Sequence, residues 1–136
     1  MNNYKFLIFL IFILKLNSIK SSYFLGGSIT VRPSKILNSS YVLMEFNVFF
    51  CWQRSFLASL TYCDEETIKN KTLFGQMGNI ICTNQFINTE YILIANTSLY
   101  CTSFSKIDDW SCGQNRYEHA ISMNKSYSVE YRGGDW

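Results

Sequence analysis

The feature that most constrains this chain of 136 residues is an alternating stretch at residues 41–54. Successive side chains of a β-strand point to opposite faces, so a strand here carries apolar bulk on one face and mixed residues on the other. The stretch contains neither Gly nor Pro and is rich in strand-favouring residues. It predicts the central strand of an antiparallel sheet with its even-numbered face turned inward. That face comprises Val42, Met44, Phe46, Val48, Phe50 and Trp52.

The first residues have the layout of a secretory signal peptide. Lys5 precedes an apolar run at residues 6–14, and Ser18, Ser21 and Ser22 follow as flanks of a cleavage point. The run is shorter than the about 20 residues that a transmembrane helix needs, although a retained membrane anchor is the alternative. We therefore divide the chain into a signal peptide at 1–21 and a single ectodomain at 22–136, and we expect a secreted protein.

Removal of the signal peptide changes the charge of the chain. Lys5, Lys15 and Lys20 leave with it, so the formal net charge falls by three, from +2 to −1. The mature chain has no basic patch that would indicate nucleic acid and no polybasic cluster that would indicate anionic lipid. We expect an extracellular protein or glycan as partner, no nucleic acid, no cofactor, and membrane contact only through the signal peptide before cleavage.

Short strand-like segments separated by polar turns continue along the chain. A first strand is predicted at residues 28–32, ended by Pro33, and residues 60–63 predict a short strand or a continuation of the central one. Acidic residues at 64–66 predict the start of a short helix. Further strands are predicted at 79–82, 91–95 and 99–104, and residues 118–123 and 127–131 predict a closing hairpin. This spacing indicates an all-β protein, an antiparallel β-sandwich whose topology, jelly-roll-like or immunoglobulin-like, stays open.

Four Asn-x-Ser/Thr triplets are acceptors for N-linked glycans. Each falls in or beside a predicted turn, which agrees with the exposure that a glycan requires. Together with the signal peptide, they predict a secreted glycoprotein. The acceptors are Asn38, Asn70, Asn96 and Asn124.

Five cysteines follow the signal peptide, and in the secretory pathway an odd number leaves one over. We favour a bond between Cys51 and Cys112, because each lies next to or near a Trp on strands that could face each other. Cys63 then pairs with Cys101 or Cys82, a choice that spacing leaves open. The unpaired cysteine is either a buried thiol or a link to a partner or second copy.

Metal and nucleophile motifs are not evident in the sequence. His119 is the only histidine, no Cys-x-x-Cys occurs, and no nucleophile motif lies nearby. We therefore expect neither a zinc site nor a Ser-His-Asp triad, and no metal.

Two acidic groups are the remaining candidates for chemistry. Asp64 and Glu66 belong to one, Asp108 and Asp109 to the other. Loop carboxylates hold calcium in some β-sandwiches, and paired carboxylates cleave glycosides. The structural interpretation is a helix N-terminus for the first group and a turn for the second. Arg54 follows the central strand, and we expect its guanidinium to pair with Asp64 or Asp109.

Aromatic residues are abundant, at 17% of the chain. The alternation places some of them on outward faces, where they suit contacts with protein or sugar. The other interpretation is packing between sheets or beneath glycans. The aromatic residues in question include Tyr41, Phe49, Tyr62, Tyr100 and Tyr117.

A set of short motifs spans nearly the whole mature chain. It resembles an ectodomain module of multidomain secreted and cell-surface proteins of invertebrates, where the module occurs beside EGF-like and similar adhesive modules. The motifs are Phe24-x-Gly26-Gly27-Ser28-Ile29-x-x-Arg32-Pro33, Trp52-x-Arg54-Ser55, Tyr62-Cys63-Asp64, Tyr100-Cys101-Thr102-x-Phe104-Ser105, Asp109-Trp110-Ser111-x-Gly113 and Tyr131-x-Gly133-Gly134-x-Trp136.

The resemblance implies an extracellular binding or adhesive context and no chemistry. Val31 stands where the pattern has Trp, and Gln53 stands where it has Arg. Cys51 and Cys112 are additional to the pattern, and this is a further reason to pair them with each other. The likeness further implies a fragment, or a stand-alone copy, of something longer.

The sequence thus predicts a secreted, glycosylated, disulfide-containing module for extracellular recognition or adhesion, without catalysis. Two alternatives belong to other classes. One is a secreted hydrolase that uses Asp64, Glu66, Asp108 or Asp109. The other is a structural component of a matrix or coat, linked by a disulfide through the unpaired cysteine.

Overall fold

A computed structural model of the chain describes residues 23–56, 58–84 and 91–133. The predicted signal peptide lies outside these residues. No helix in the described part is long and apolar enough to cross a membrane. The helices are α1 (Ala58–Thr61) and α2 (Glu65–Lys69). The strands are β1 (Phe24–Ile36), β2 (Tyr41–Gln53), β3 (Leu73–Phe74), β4 (Gly78–Asn84), β5 (Tyr91–Asn96), β6 (Leu99–Ser105), β7 (Trp110–Ser122) and β8 (Tyr127–Gly133).

The strands form two antiparallel sheets. One has five strands in the order β1-β2-β7-β6-β3, and the other has three in the order β5-β4-β8. Apolar side chains from both sheets share one core, in which Val48 and Trp52 of β2 meet Ile80 of β4. Burial of each such side chain stabilises the fold by about 1.5–3 kcal/mol. The predicted all-β antiparallel sandwich is confirmed.

The alternating stretch forms β2, which lies between β1 and β7. Its even-numbered residues Phe46, Val48, Phe50 and Trp52 are at most 3% exposed, so the predicted inward face is confirmed. Trp52 packs its ring edge against Phe74, with centroids 5.6 Å apart. β2 therefore contributes much of the core with its even-numbered face, and its opposite face is not covered by the second sheet.

The first strand is longer than predicted. β1 runs from Phe24 to Ile36 and continues through Pro33, where we expected it to end. Proline is tolerated because β1 is an edge strand, paired only with β2, so the missing N–H removes no bond on the free side. The register shifts on either side of this segment, between Phe24 and Gly26 and between Pro33 and Lys35.

The segment after β2 differs from the expected strand at residues 60–63. Residues 58–61 form α1, because tertiary bonds hold this turn: Thr61 Oγ1 donates to the carbonyl of Arg54, and the carbonyl of Leu60 accepts from Gly75 N. The predicted short helix does form at residues 65–69. Asp64 is its N-cap and accepts from the backbone N of Thr67.

The predicted closing hairpin does not form. Residues 110–122 make one strand, β7, which pairs with β2 along its whole length and with β6 over residues 110–114. β8 pairs instead with β4 in the other sheet. The four residues between β7 and β8 cross from one layer to the other.

Two disulfides link the elements. Cys51 of β2 is bonded to Cys112 of β7, the pairing that we favoured. Cys63, which follows α1, is bonded to Cys101 of β6, so Cys101 and not Cys82 is its partner. Cys82 of β4 is a buried free thiol, 2% exposed.

Candidate functional site

The outer face of the five-stranded sheet is the side opposite the buried face of β2. Directly opposed residues form rungs across β1, β2 and β7, and two rungs extend to β6. From one end to the other the rungs are Gly26-Cys51-Cys112-Ser103, Ser28-Phe49-Gln114-Tyr100, Thr30-Asn47-Arg116 and Arg32-Glu45-Glu118. This grid of residues is the candidate site.

A shallow aromatic and polar groove crosses the middle of the outer face. Phe49 and Tyr100 stand on either side of Gln114, and they are 39% and 43% exposed. Thr30 and Asn47 line the same groove beside them. The sequence predicted that Phe49 and Tyr100 are among the aromatics available for contact, and both do lie on this face.

Glu45 is buried at one end of the groove, although it lies on the outer face. Its carboxylate accepts from Arg32 Nε at 2.7 Å and from Asn47 Nδ2 at 2.8 Å, and it forms an ion pair with Arg116 Nε at 2.9 Å. The bond from Asn47 and the two guanidinium groups lower the pKa of Glu45, against the effect of its burial. Glu45 therefore stays ionised and serves as an anchor for two cations.

The two arginines that Glu45 holds remain open to solvent. The side chains of Arg32 and Arg116 are 68% and 57% exposed, whereas that of Glu45 is 3% exposed. Arg116 also donates to Glu118 at 2.8 Å, a bond that raises the pKa of Arg116 together with the charge of Glu45. Lys35 lies opposite Leu43, on the same face. The outer face thus shows more exposed cationic than anionic groups.

The sequence interpretation missed this network. It placed Glu45 on the mixed face of the strand and assigned no role to Arg32 or Arg116 in binding. The three residues come from different strands and become neighbours only through strand pairing. A charged residue inside an otherwise apolar strand was the one available signal, because burial of a carboxylate requires a partner.

The candidate carboxylates of the first acidic group serve local structure. Asp64 caps α2 and accepts from both the backbone N and the Oγ1 of Thr67, at 2.8 and 2.7 Å. These bonds are the main reason that the pKa of Asp64 is lowered. Glu66 lies exposed in the first turn of the same helix.

The second acidic group closes a turn. Asp109 accepts from Ser55 and from Gln53 Nε2, and the bond from the Ser55 hydroxyl is the first cause of its lowered pKa. Asp108 bonds to Ser105 on the same loop. No group of three or more His, Cys, Asp or Glu is gathered for a metal anywhere in the described ranges.

Arg54 contacts groups other than the expected carboxylates. Its Nε donates to the carbonyl of Cys63 at 2.9 Å, and its guanidinium lies 3.9 Å from the ring centroid of Tyr62. The positive charge of Arg54 also lowers the pKa of Asp64 and that of Asp109, but it is the smallest cause in each case. The residue fixes the loop after β2, away from the outer face.

The glycan acceptors lie outside the five-stranded sheet. Asn38 is in the β1–β2 turn, Asn70 caps the C-terminus of α2, Asn96 ends β5, and Asn124 lies between β7 and β8. All four are exposed. Glycans on these residues would leave the strands of the outer face unmodified.

Comparison with models of protein families gives a match. The family model described as "Integrin beta-like protein A-E, N-terminal" matches residues 25–136, which extends from β1 to the last residue. No curated protein and no solved structure matches the chain. The match does not test the individual motifs that carried the resemblance, which stay predictions.

Proposed function

We infer a role in extracellular adhesion from the family to which this chain belongs, that of the integrin beta-like protein A-E N-terminal domain. The family match carries the proposal, because the name associates these domains with integrin-like proteins, which work at cell surfaces. In this proposal the chain recognises an extracellular partner by contact and performs no catalysis.

Features other than the family match support an extracellular location. The apolar leader at residues 6–14 has the length of a signal peptide. Two disulfides are typical of proteins that fold in an oxidising compartment. Four exposed acceptor asparagines suit the same route. We therefore propose cleavage of residues 1–21 and glycosylation of Asn38, Asn70, Asn96 and Asn124.

The outer face is the contact surface that we propose. Phe49 and Tyr100 are large, exposed and held by strand pairing, so they lose little freedom when a partner covers them. Aromatic residues are enriched in binding surfaces for this reason. None of the four glycan acceptors lies on a described strand of this sheet, although one of them, Asn70, directly precedes a residue of the pocket beside Tyr100.

An adhesion assay tests the proposal. The secreted protein is coated on fluorescent beads, and bead attachment to a panel of eukaryotic cells is counted under flow. We expect attachment above that of albumin beads, and a large loss for the double variant Phe49→Ala/Tyr100→Ala.

A matched control variant is available on the other sheet. Tyr91 of β5 is 59% exposed, so Tyr91→Ala removes a comparable surface aromatic without altering the outer face. We expect this variant to attach as the wild type does. Attachment of wild-type beads no greater than that of albumin beads would reject the adhesive function, and an equal loss for both variants would reject the outer face as its surface.

A further inference from the structure

The aromatic pair on the outer face has the spacing of a stacking platform. Phe49 and Tyr100 lie two strands apart, roughly 10 Å at the usual spacing of strands in a sheet. Their rings are exposed, and an aromatic ring packs well against the apolar C–H face of a sugar. The platform can therefore support two rings of one oligosaccharide that lies across β2, β7 and β6.

The side chains between and beside the rings of Phe49 and Tyr100 are polar. Gln114 lies between Phe49 and Tyr100, and Thr30 and Asn47 line the groove beside Phe49. Amides and hydroxyls donate and accept at once, as sugar hydroxyls do. A partner without hydrogen-bonding groups would leave these side chains desolvated and unpaired, at a cost in affinity.

The charged side chains at one end of the groove favour acidic sugars over neutral ones. Arg116 presents its guanidinium group on the rung next to the aromatic pair, Arg32 lies on the rung after it, and the carboxylate of Glu45 pairs with both. A guanidinium group binds a planar carboxylate or a sulfate through two parallel hydrogen bonds. Glu45 and the 39% exposed Glu118 offset two of the three positive charges of Arg32, Arg116 and Lys35, so the net charge at this end of the outer face is positive. The exposed charge of this end of the groove therefore complements an acidic ligand.

We infer that the outer face binds an acidic oligosaccharide, one that carries uronate or sulfate groups. Sugar rings stack on Phe49 and Tyr100, and the acidic groups pair with Arg116 and Arg32. This inference rests on the proposed adhesive function, because it names the partner class of the same surface. The ligand that we propose is a glycan of another molecule.

Calorimetry with defined sugars tests the inference. The probes are a heparin-derived hexasaccharide, a hyaluronan hexasaccharide and a neutral dextran oligosaccharide of similar length. We expect binding to at least one acidic probe and none to dextran. The affinity should fall as salt rises, because exposed ion pairs are screened. Arg116→Gln and Tyr100→Ala should each weaken binding about tenfold, the effect of losing one charge-assisted hydrogen bond or one stacked ring.

The opposite sheet offers a matched control for the charge. Arg132 pairs with Glu130 at 2.9 Å and is 52% exposed, much as Arg116 pairs with Glu118 at 2.8 Å and is 57% exposed. Arg132→Gln should leave the affinity unchanged. An equal loss in Arg132→Gln and Arg116→Gln would show unspecific attraction and overturn the inference, as would dextran binding as tight as that of the acidic probes. Tyr100→Ala, which leaves the ion network intact, keeps the test valid if Arg116→Gln fails to fold.

The adhesion assay separates the two claims. Beads that still attach to cells after enzymatic removal of surface polysaccharide, together with no binding to either acidic probe, would overturn the sugar assignment and leave adhesion to a protein standing. Beads that attach to no cell would overturn the adhesive function itself. Attachment lost after polysaccharide removal and competed by the acidic probe would support both.

Discussion

Cys51 and Cys112 lie directly opposite each other on β2 and β7, with Cα atoms 4.1 Å apart, and they are 61 positions apart in sequence. The bond joins two strands that are already neighbours in the sheet, and it occupies the rung next to Phe49 and Gln114. It therefore fixes the register of the two central strands beside the proposed binding groove.

Removal of this bond should destabilise the fold strongly. For Cys51→Ala/Cys112→Ala we expect the free energy of unfolding to fall by about 2–4 kcal/mol, because a loop of this length gains much entropy in the unfolded chain. Urea unfolding followed by tryptophan fluorescence measures the change. Cys63→Ala/Cys101→Ala, whose cysteines are 38 positions apart, is the comparison. A double variant as stable as the wild type would contradict the prediction.

Cys82 should behave as a buried thiol. Burial raises its pKa to about 11, so little thiolate forms at neutral pH, and the side chain is 2% exposed. We expect no reaction with a thiol reagent at pH 8 in the native protein, and one equivalent after unfolding in denaturant. We also expect a monomer on a non-reducing gel. A disulfide-linked dimer that Cys82→Ala abolishes would instead favour the structural matrix or coat component.

Local patterns in the sequence account for much of the fold. The face of β2 was predictable because the alternation alone decides which side chains point inward. The N-cap at Asp64 was predictable because its partners follow within three residues. Both depend on short stretches of chain, where sequence and structure are linked directly.

The features that sequence did not reveal depend on strand pairing over long distances. Pro33 seemed to end β1, and only its edge position shows why the strand continues. β8 pairs with β4 instead of with β7, and the hydroxyl of Thr83 donates to Glu130, 47 positions further along the chain. The ion network of Glu45 likewise requires the register of β1 and β7. The aromatic half of the candidate site was therefore predictable, but its charged half was not.

Gly75 should tolerate no larger residue. It has a φ of +77°, and a Cβ there would stand 2.5 Å from Cη2 of Trp52. We expect Gly75→Ala to lower the free energy of unfolding by about 2–4 kcal/mol, from backbone strain and overpacking together.

Gly26 also has a positive φ, of +130°, but a Cβ there would meet nothing within 4 Å. Gly26→Ala should therefore cost only the backbone part, about 1–3 kcal/mol for a φ that essentially only glycine adopts. A loss below about 1 kcal/mol in Gly75→Ala, measured by urea unfolding, would contradict strain and contact with Trp52 as the reasons.

The stability of the outer face should depend on pH through Glu45. Its pKa is lowered in the folded state, first by the bond from Asn47 and then by Arg32 and Arg116. In the unfolded chain a glutamate titrates near 4.3, so the stability that this carboxylate contributes is fully present above about pH 5. That contribution is lost as the pH falls through the lower folded pKa.

Glu45→Gln removes the titrating group, so the gap in unfolding free energy between wild type and variant should be largest at pH 6–7 and should shrink below about pH 4. Urea unfolding at a series of pH values measures this gap. Glu118→Gln, which changes a 39% exposed carboxylate of the same network, is the control, and its gap should be smaller at neutral pH because solvent screens the charge. A gap for Glu45→Gln that stays constant from neutral to acid pH would mean that the carboxylate fills space in the sheet without anchoring the two arginines by its charge. The cationic end of the groove would then lack its support.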